Sequence, residues 1–284
     1  VSNCYLAIDV GSTRLAAAIV DDAGEVLVRD RVPTPAREVW PALGRVVSRV
    51  LAAAPAAPLA AGVGCGSPMD LAARTVSPLH IPTWDAFPLA AEVEALTQLP
   101  TVVDHSAKAV ALAEAWKGVA RNWRDFAVVV IGAGVSGAIV SGGRLLDGQH
   151  GNAGQIGHIV VEPDGRACRC GGKGCLEAYC GGRAIEDETG RPPQRAPQVI
   201  VERTGTFTGR ALASLGAVCD LRHAVLAGSV ALAFGDPFLA AARAELEQRA
   251  RLSFTHGFEV QPAALGQLAP LVGAAAFAKR ATHG

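Results

Sequence analysis

YLAIDVGSTRLAAAIVDDAGEVLVRDR (residues 5–31) decides the architecture, because the chain repeats its plan at FAVVVIGAGVSGAIVSGGRLL (126–146). In the first copy an apolar run at 5–9 ends in Asp9. The turn Gly11-Ser12-Thr13-Arg14 follows, then an apolar run at 15–20, a turn at 21–24 and a third run at 25–31. Short apolar runs bounded by Gly and polar residues predict an antiparallel meander of three strands. In the second copy a strand at 126–131 breaks at Gly132-Ala133-Gly134-Val135-Ser136-Gly137. It resumes at 138–141 and turns at Gly142-Gly143 into 144–146. Such self-similarity predicts a duplicated α/β unit with a cleft between the copies.

Outside the copies, helices are predicted at 39–54 (stopped by Pro55), 89–99, 107–117, 237–251 and 268–281. Strands are predicted at 59–66, at 101–104 and at 224–229, where AVLAGS reaches Gly228. Residues 186–197 are rich in Pro and charge and predict a loop. The expected domains are 1–118, with the C-terminal helix (268–284) packing back on them, and 119–267.

Apolar residues make up 50% of the 284 and charged residues 18%, which marks a globular chain. Lys plus Arg equals Asp plus Glu, 26 each, with no basic run, so neither nucleic acid nor a membrane is an expected partner. No apolar run is long enough to span a bilayer, and the first residues lack the basic region of a secretory signal. A cytoplasmic location with reduced thiols is the expectation.

Glycine turns after strands expose backbone N–H groups that can cradle phosphate oxygens. In D-V-G-S-T-R, Asp9 is placed to hold Mg²⁺ directly or through water, while Thr13 and the turn's N–H groups meet phosphate. Two such turns in equivalent places, with a third at Gly228, predict a nucleotide cleft. Neither a GxxxxGK[ST] loop nor a GxGxxG dinucleotide fingerprint is present.

Of seven cysteines, Cys4, Cys65, Cys180 and Cys219 lie in apolar surroundings and read as small buried hydrophobes. The other three crowd into RACRCGGKGCLE (166–177). In a reducing compartment, clustered thiols point to a metal. Cys168, Cys170 and Cys175 with His158, taken to lie on the preceding strand, form a Cys₃His set suited to a closed, structural Zn²⁺. Zinc on one imidazole nitrogen fixes the direction of the other, so the ion is expected to orient His158, Gln155 and Glu177 along a pocket wall.

Taken together, these stretches resemble the ROK family of sugar kinases and sugar-responsive repressors. The resemblance spans nearly the whole chain. It rests on D-V-G-S-T at 9–13, P-L-H-I-P-T-W at 78–84, V-V-D-H-S-A-K-A-V-A-L-A-E-A at 102–115, G-A-G-V-S-G at 132–137, and A-G-Q-I-G-H with C-x-C-x₄-C-L-E at 153–177. It implies the ribonuclease-H-like, actin/hexokinase-type fold, two lobes closing over ATP and sugar, and a homodimer or homotetramer. Asp104 corresponds to the base that takes the proton from the attacking sugar hydroxyl. Gly66, Gln155, His158 and Glu177, beside Asp104, correspond to sugar contacts. The phosphates fall to Asp9, Gly11, Ser12, Thr13, Arg14, Gly132, Gly134 and Gly228.

The chain also departs from the family pattern. Val103 stands where the family usually has Asn, Gln155 where it has Glu, Ala133 where it has Thr and His80 where it has Asn. The first expectation is an ATP-dependent kinase for a hexose or amino-sugar. The alternative, drawn from the departures, is a catalytically weakened sugar-binding regulator of the same family. The repressors carry a DNA-binding helix-turn-helix before the first strand; here that strand begins near residue 5, so DNA binding is not expected. A zinc or redox module leaves the repeated glycine turns unexplained.

Overall fold

Alternation along the first strand divides its side chains between two apolar clusters. In β1 (Cys4–Val10), Leu6, Ile8 and Val10 enter one cluster and Tyr5 and Ala7 the other, as the two-residue period of a strand requires. The structure is a computed structural model and describes residues 3–283. Strands β2 (Arg14–Asp21) and β3 (Val26–Pro33) complete the expected antiparallel meander. Helix α1 (Val39–Ala52) leads to β4 (Ala61–Cys65), parallel to β1. A small hairpin, β5 (Met69–Asp70) with β6 (Thr75–Val76), precedes α2 (Leu89–Thr97). Then come β7 (Thr101–His105), parallel to β4, and α3 (Ser106–Lys117). The sheet order is β3-β2-β1-β4-β7.

The second sheet repeats the plan. β8 (Phe126–Ile131), β9 (Val135–Ser141) and β10 (Arg144–Leu145) form the meander. After α4 (Glu177–Cys180), α5 (Gly182–Thr189) and α6 (Gln198–Cys219) comes β11 (His223–Ala227), parallel to β8. α7 (Ser229–Arg249) leads to β12 (Glu259–Pro262), parallel to β11, and α8 (Ala269–His283) closes the chain. The order β10-β9-β8-β11-β12 matches the first sheet strand for strand. This is the duplicated ribonuclease-H-like α/β fold. Two compact units result: Val1–Lys117 with Asp147–Ala153 and Leu268–Gly284, and Gly118–Leu146 with Gly154–Gln267. In the first, α8 packs on α3, β1 and β4. Among the described residues no helix is long and apolar enough to cross a membrane.

Two elements differ from expectation, and α6 carried none. Residues 186–189 are not loop but the end of α5. α7 starts at Ser229 rather than Pro237, and the chain kinks at Gly235 (φ 58°, ψ −142°), so the proline follows the break. α6 carries no propensity signal that separates it from a loop, since Thr, Gly and Val interrupt it. Packing against α7 stabilises it. A Cβ at Gly205 or Gly209 would stand 2.4 or 2.5 Å from carbonyl oxygens of α7, so the glycines let the two helices touch. The buried hydroxyls of Thr204 and Thr208 donate to carbonyls four residues back (both 2.7 Å), which leaves no orphan donor in the contact.

Candidate functional site

In the first unit, Asp9, Gly64 and Asp104 are register partners across β1, β4 and β7. Partners in parallel strands project to the same face, and strands lie about 4.8 Å apart. The backbones of the two aspartates therefore stand roughly 10 Å apart, with both side chains on one sheet face near the carboxyl ends of the strands and a side-chain-free glycine between them. Burial pushes the Asp9 carboxyl up to about 6, opposed by the Arg14 charge. Burial also raises Asp104, against the downward pull of Lys108 and of the His105 main-chain N–H, which donates to Oδ1 at 2.7 Å. Asp104 accepts the His105 main-chain N–H and pairs with the Lys108 ammonium.

The first glycine turn closes when the Gly11 N–H donates to the Arg14 carbonyl (3.0 Å); the Thr34 hydroxyl donates to the Gly11 carbonyl at 2.7 Å. Gly11, Ser12 and Arg14 are half-buried and Thr13 is exposed. Gly66 follows β4 and is half-buried. Its neighbour Ser67 shares a hydrogen bond with His105 Nε2 (Oγ to Nε2 3.1 Å), which ties this loop to the end of β7.

In the second unit, the Gly132 N–H donates to the Gly134 carbonyl (2.9 Å) and closes the turn between β8 and β9. Gly228 has φ +96°, and a Cβ there would lie 2.3 Å from the Ile131 carbonyl oxygen. Only glycine fits, and its backbone lies beside the strand end that enters the Gly132 turn. The structure thus brings Gly132, Gly134 and Gly228 to neighbouring strand ends.

The cysteine segment folds as a knuckle. The Cys168 N–H donates to the Gly172 carbonyl (2.8 Å), and the Gly171 N–H to the Cys168 carbonyl (3.0 Å). The donor atoms of His158, Cys168, Cys170 and Cys175 all lie within 4.8 Å of one another. Cys168 Sγ is 3.7 Å from His158 Nδ1 and Cys170 Sγ is 3.8 Å from Cys175 Sγ. Tetrahedral zinc with Zn–S of about 2.3 Å and Zn–N of about 2.0 Å places sulfurs about 3.8 Å apart and S and N about 3.5 Å apart. The donor set and its spacing fit that ion. Burial pushes the Cys175 thiol up to about 12 and raises Cys168, while the Gly172 backbone amide lowers Cys170. Three thiolates packed this closely need a cation to offset their charge. Cys4, Cys65 and Cys180 are buried as expected, but Cys219 is only half-buried.

His158 lies on a short 3-10 turn, Ile156–His158, and not on a strand. A Cβ at Gly157 would stand 2.0 Å from the Val135 carbonyl oxygen, so the turn's backbone presses directly on β9 and cannot pair as a strand. Glu177 starts α4, and its Oε2 accepts the Val135 N–H at 2.7 Å. Two residues from the thiol of Cys175, this carboxylate braces the outgoing strand of the Gly132 turn. The Gly182 and Arg183 N–H groups then donate to the Gly132 and Ala133 carbonyls (2.8 and 3.0 Å). The cysteine segment and the glycine turn are one bonded assembly.

Sequence reasoning missed Lys108, Asp147 and the Glu188 bridge. Lys108 is fully buried, with Nζ 3.0 Å from Asp104 Oδ1 and 2.6 Å from Asp147 Oδ1. The four-residue spacing of Asp104 and Lys108 was a readable signal; Asp147, 39 positions on, offered none. Glu188 pairs with Arg166 and Arg203 (2.8 and 2.6 Å), pinning the start of the knuckle to α5 and α6.

Comparison with known proteins places these features in one family. The sequence model of the ROK family matches residues 5–281. N-acetylmannosamine kinase of Escherichia fergusonii is 34% identical over 247 residues, covering 81% of this chain and 84% of the relative. A ROK hexokinase from Thermus thermophilus superposes with TM-score 0.83 at 30% identity, over 99% of this chain and 100% of the other. A ROK family glucokinase from Streptomyces griseus, solved with glucose and AMPPNP, gives TM-score 0.85 at 27% identity, over 98% and 100%.

Proposed function

Because the chain belongs to the ROK family, we propose that it transfers the γ-phosphate of ATP to a hydroxyl of a hexose or amino-sugar, N-acetylmannosamine among the candidates. The observation that carries this reading is the in-register pair Asp9 and Asp104 on one sheet face, with Gly64 between them. Asp104 takes the proton of the sugar hydroxyl as its oxygen attacks phosphorus. Gly11, Ser12, Thr13 and Arg14, with Gly132, Gly134 and Gly228, receive the phosphates through backbone N–H groups and short polar side chains. Asp9 would hold Mg²⁺, which neutralises phosphate charge when bound. Gly66, Gln155 and His158 orient the sugar. Glu177 joins them while it keeps one oxygen on the Val135 N–H.

His158, Cys168, Cys170 and Cys175 would hold zinc, which supplies folding free energy to the knuckle when bound. The consequence for the site is positional: His158 Nδ1 is committed to the cluster, so the ring is fixed for contact through its other nitrogen.

A second reading, sugar binding without transfer, is favoured by one observation: both Asp104 oxygens already face the Lys108 ammonium, at 3.0 and 3.4 Å. A panel of hexoses and N-acyl amino-sugars with Mg-ATP, coupled to ADP release, separates the two. Transfer to one sugar is expected, with kcat/KM falling by roughly 10²–10⁴-fold in Asp104→Ala. Background rates with every sugar, alongside calorimetric sugar binding, overturn the kinase reading and establish the second.

A further inference from the structure

Cys170 is the one exposed thiol among the described residues, and its Sγ lies 3.8 Å from that of Cys175. Cys175 is buried, but the pair is open across Gly172. A Cβ there would stand 3.5 Å from Cys170 Sγ and 3.8 Å from Cys175 Sγ, so a side chain at this position would lie against both sulfurs. Glycine leaves that side uncovered. The intervening loop, Gly171-Gly172-Lys173-Gly174, has positive φ at Gly171 (+91°) and Gly174 (+72°), and a Cβ at Gly171 would meet nothing within 4 Å. A loop this free of side chains can draw the two sulfurs together to the disulfide length of about 2.05 Å. Cys168 is placed differently: it is buried, and its Sγ faces His158 Nδ1 at 3.7 Å.

We propose that Cys170 and Cys175 are a peroxide-oxidised thiol pair, and that their closure to a disulfide ejects zinc from the knuckle; this rests on the reading of the four donors as a zinc site. The Cys170 thiolate attacks one oxygen of hydrogen peroxide. An S–O bond forms, the O–O bond breaks and hydroxide leaves, giving a sulfenic acid. The Cys175 thiolate then attacks that sulfur. The S–S bond forms, the S–O bond breaks and a second hydroxide leaves. Two electrons pass from the sulfurs to peroxide, and two protons from solvent turn both hydroxides into water. His158 and Cys168 remain, two donors where a closed site needs four, so the ion is released. The loss reaches the glycine turn through Glu177, two residues beyond Cys175, whose Oε2 accepts the Val135 N–H at 2.7 Å. Oxidation at the knuckle tip therefore loosens the turn between β8 and β9.

The test treats the zinc-loaded whole chain with hydrogen peroxide, follows zinc release with a chromogenic chelator and locates the disulfide by peptide mass spectrometry. One zinc released for each Cys170–Cys175 disulfide is expected, reversed by a dithiol reductant and added zinc. Gly172 is not at positive φ, so Gly172→Ala keeps all four donors and lays a methyl against both sulfurs. It is expected to slow release several-fold from an unchanged starting zinc content. Amide hydrogen exchange at 132–135 rises in the oxidised chain. Zinc retained through oxidation, zinc lost with Cys170 carried to the sulfinic acid and no disulfide, or a disulfide to Cys168 overturns the proposal. So does an undiminished release rate in Gly172→Ala, or unmoved exchange at 132–135. If Gly172→Ala holds no zinc, the disulfide map of the unsubstituted chain decides alone. An unsubstituted chain that holds no zinc before oxidation overturns the zinc reading together with the proposal. None of these readouts needs phosphoryl transfer, so failure of the kinase reading is seen separately.

Discussion

Cys170 is the exposed member of the Cys₃His cluster, and its thiol is the one drawn downward. At the residue scale this makes it the least disruptive place to break the cluster: Cys170→Ser removes a ligand without opening a core cavity. Zinc content by elemental analysis is expected to fall from about one per chain to near zero, with a lower melting temperature. Unchanged zinc in Cys170→Ser excludes this ligand set. Gly157 offers a second probe, because a methyl there meets the Val135 carbonyl oxygen at 2.0 Å. Gly157→Ala is expected to destabilise the chain by about 1–3 kcal/mol or more in chemical denaturation, and to weaken zinc retention by displacing His158. Much at this scale was legible beforehand. The thiols, His158 and the glycine turns announce themselves by spacing. What Glu177 does was not legible, since its partner is a backbone amide 42 residues upstream, with no signature in composition.

At the scale of elements, the knuckle is held from outside as well as by its own ligands. Glu188 on α5 binds Arg166 beside the first knuckle cysteine and Arg203 on α6, and both guanidiniums lie over the Tyr179 ring (4.8 and 5.7 Å). Hydrogen bonds from Arg166 and then Arg203 hold the Glu188 carboxyl far below the usual carboxylate range. A depressed carboxyl contributes stability above its unfolded value, near 4.5, and loses it as the pH falls through its folded value. Acid unfolding below about pH 4.5 should therefore soften in Glu188→Gln, which is expected to cost about 1 kcal/mol at pH 7, since Arg166 is partly exposed to solvent. An equal acid slope in wild type and variant would remove Glu188 from the account. Element boundaries follow the same logic. The strands of both meanders and helices α1 and α8 were readable because their apolar periodicity is local. α6 was not, because its glycines and threonines make sense only against α7.

For the whole molecule, the decisive fact is that two sheets with one strand order occur in a single chain. Each presents a glycine turn after its first strand, and each unit can be probed by ligand linkage. A non-hydrolysable ATP analogue with Mg²⁺ at about 100 times its Kd should stabilise the chain by about 2.7 kcal/mol in calorimetry. Asp9→Ala should shrink that gain while leaving zinc content at its wild-type level. A gain untouched by Asp9→Ala would place the nucleotide elsewhere.

The amino-acid sequence by itself determined the duplication, the glycine turns, the family and the crowding of three cysteines near His158. Each is written in short-range periodicity, or in spacings of a few residues that backbone geometry converts directly into shape. Only the tertiary structure decided that His158 sits on a 3-10 turn and that Glu177 braces the glycine turn. It also decided that α6 is a helix and that Asp104 shares a buried ammonium with Asp147. Those outcomes depend on which distant backbone or charge a side chain meets once the sheets close, and no local pattern encodes that meeting.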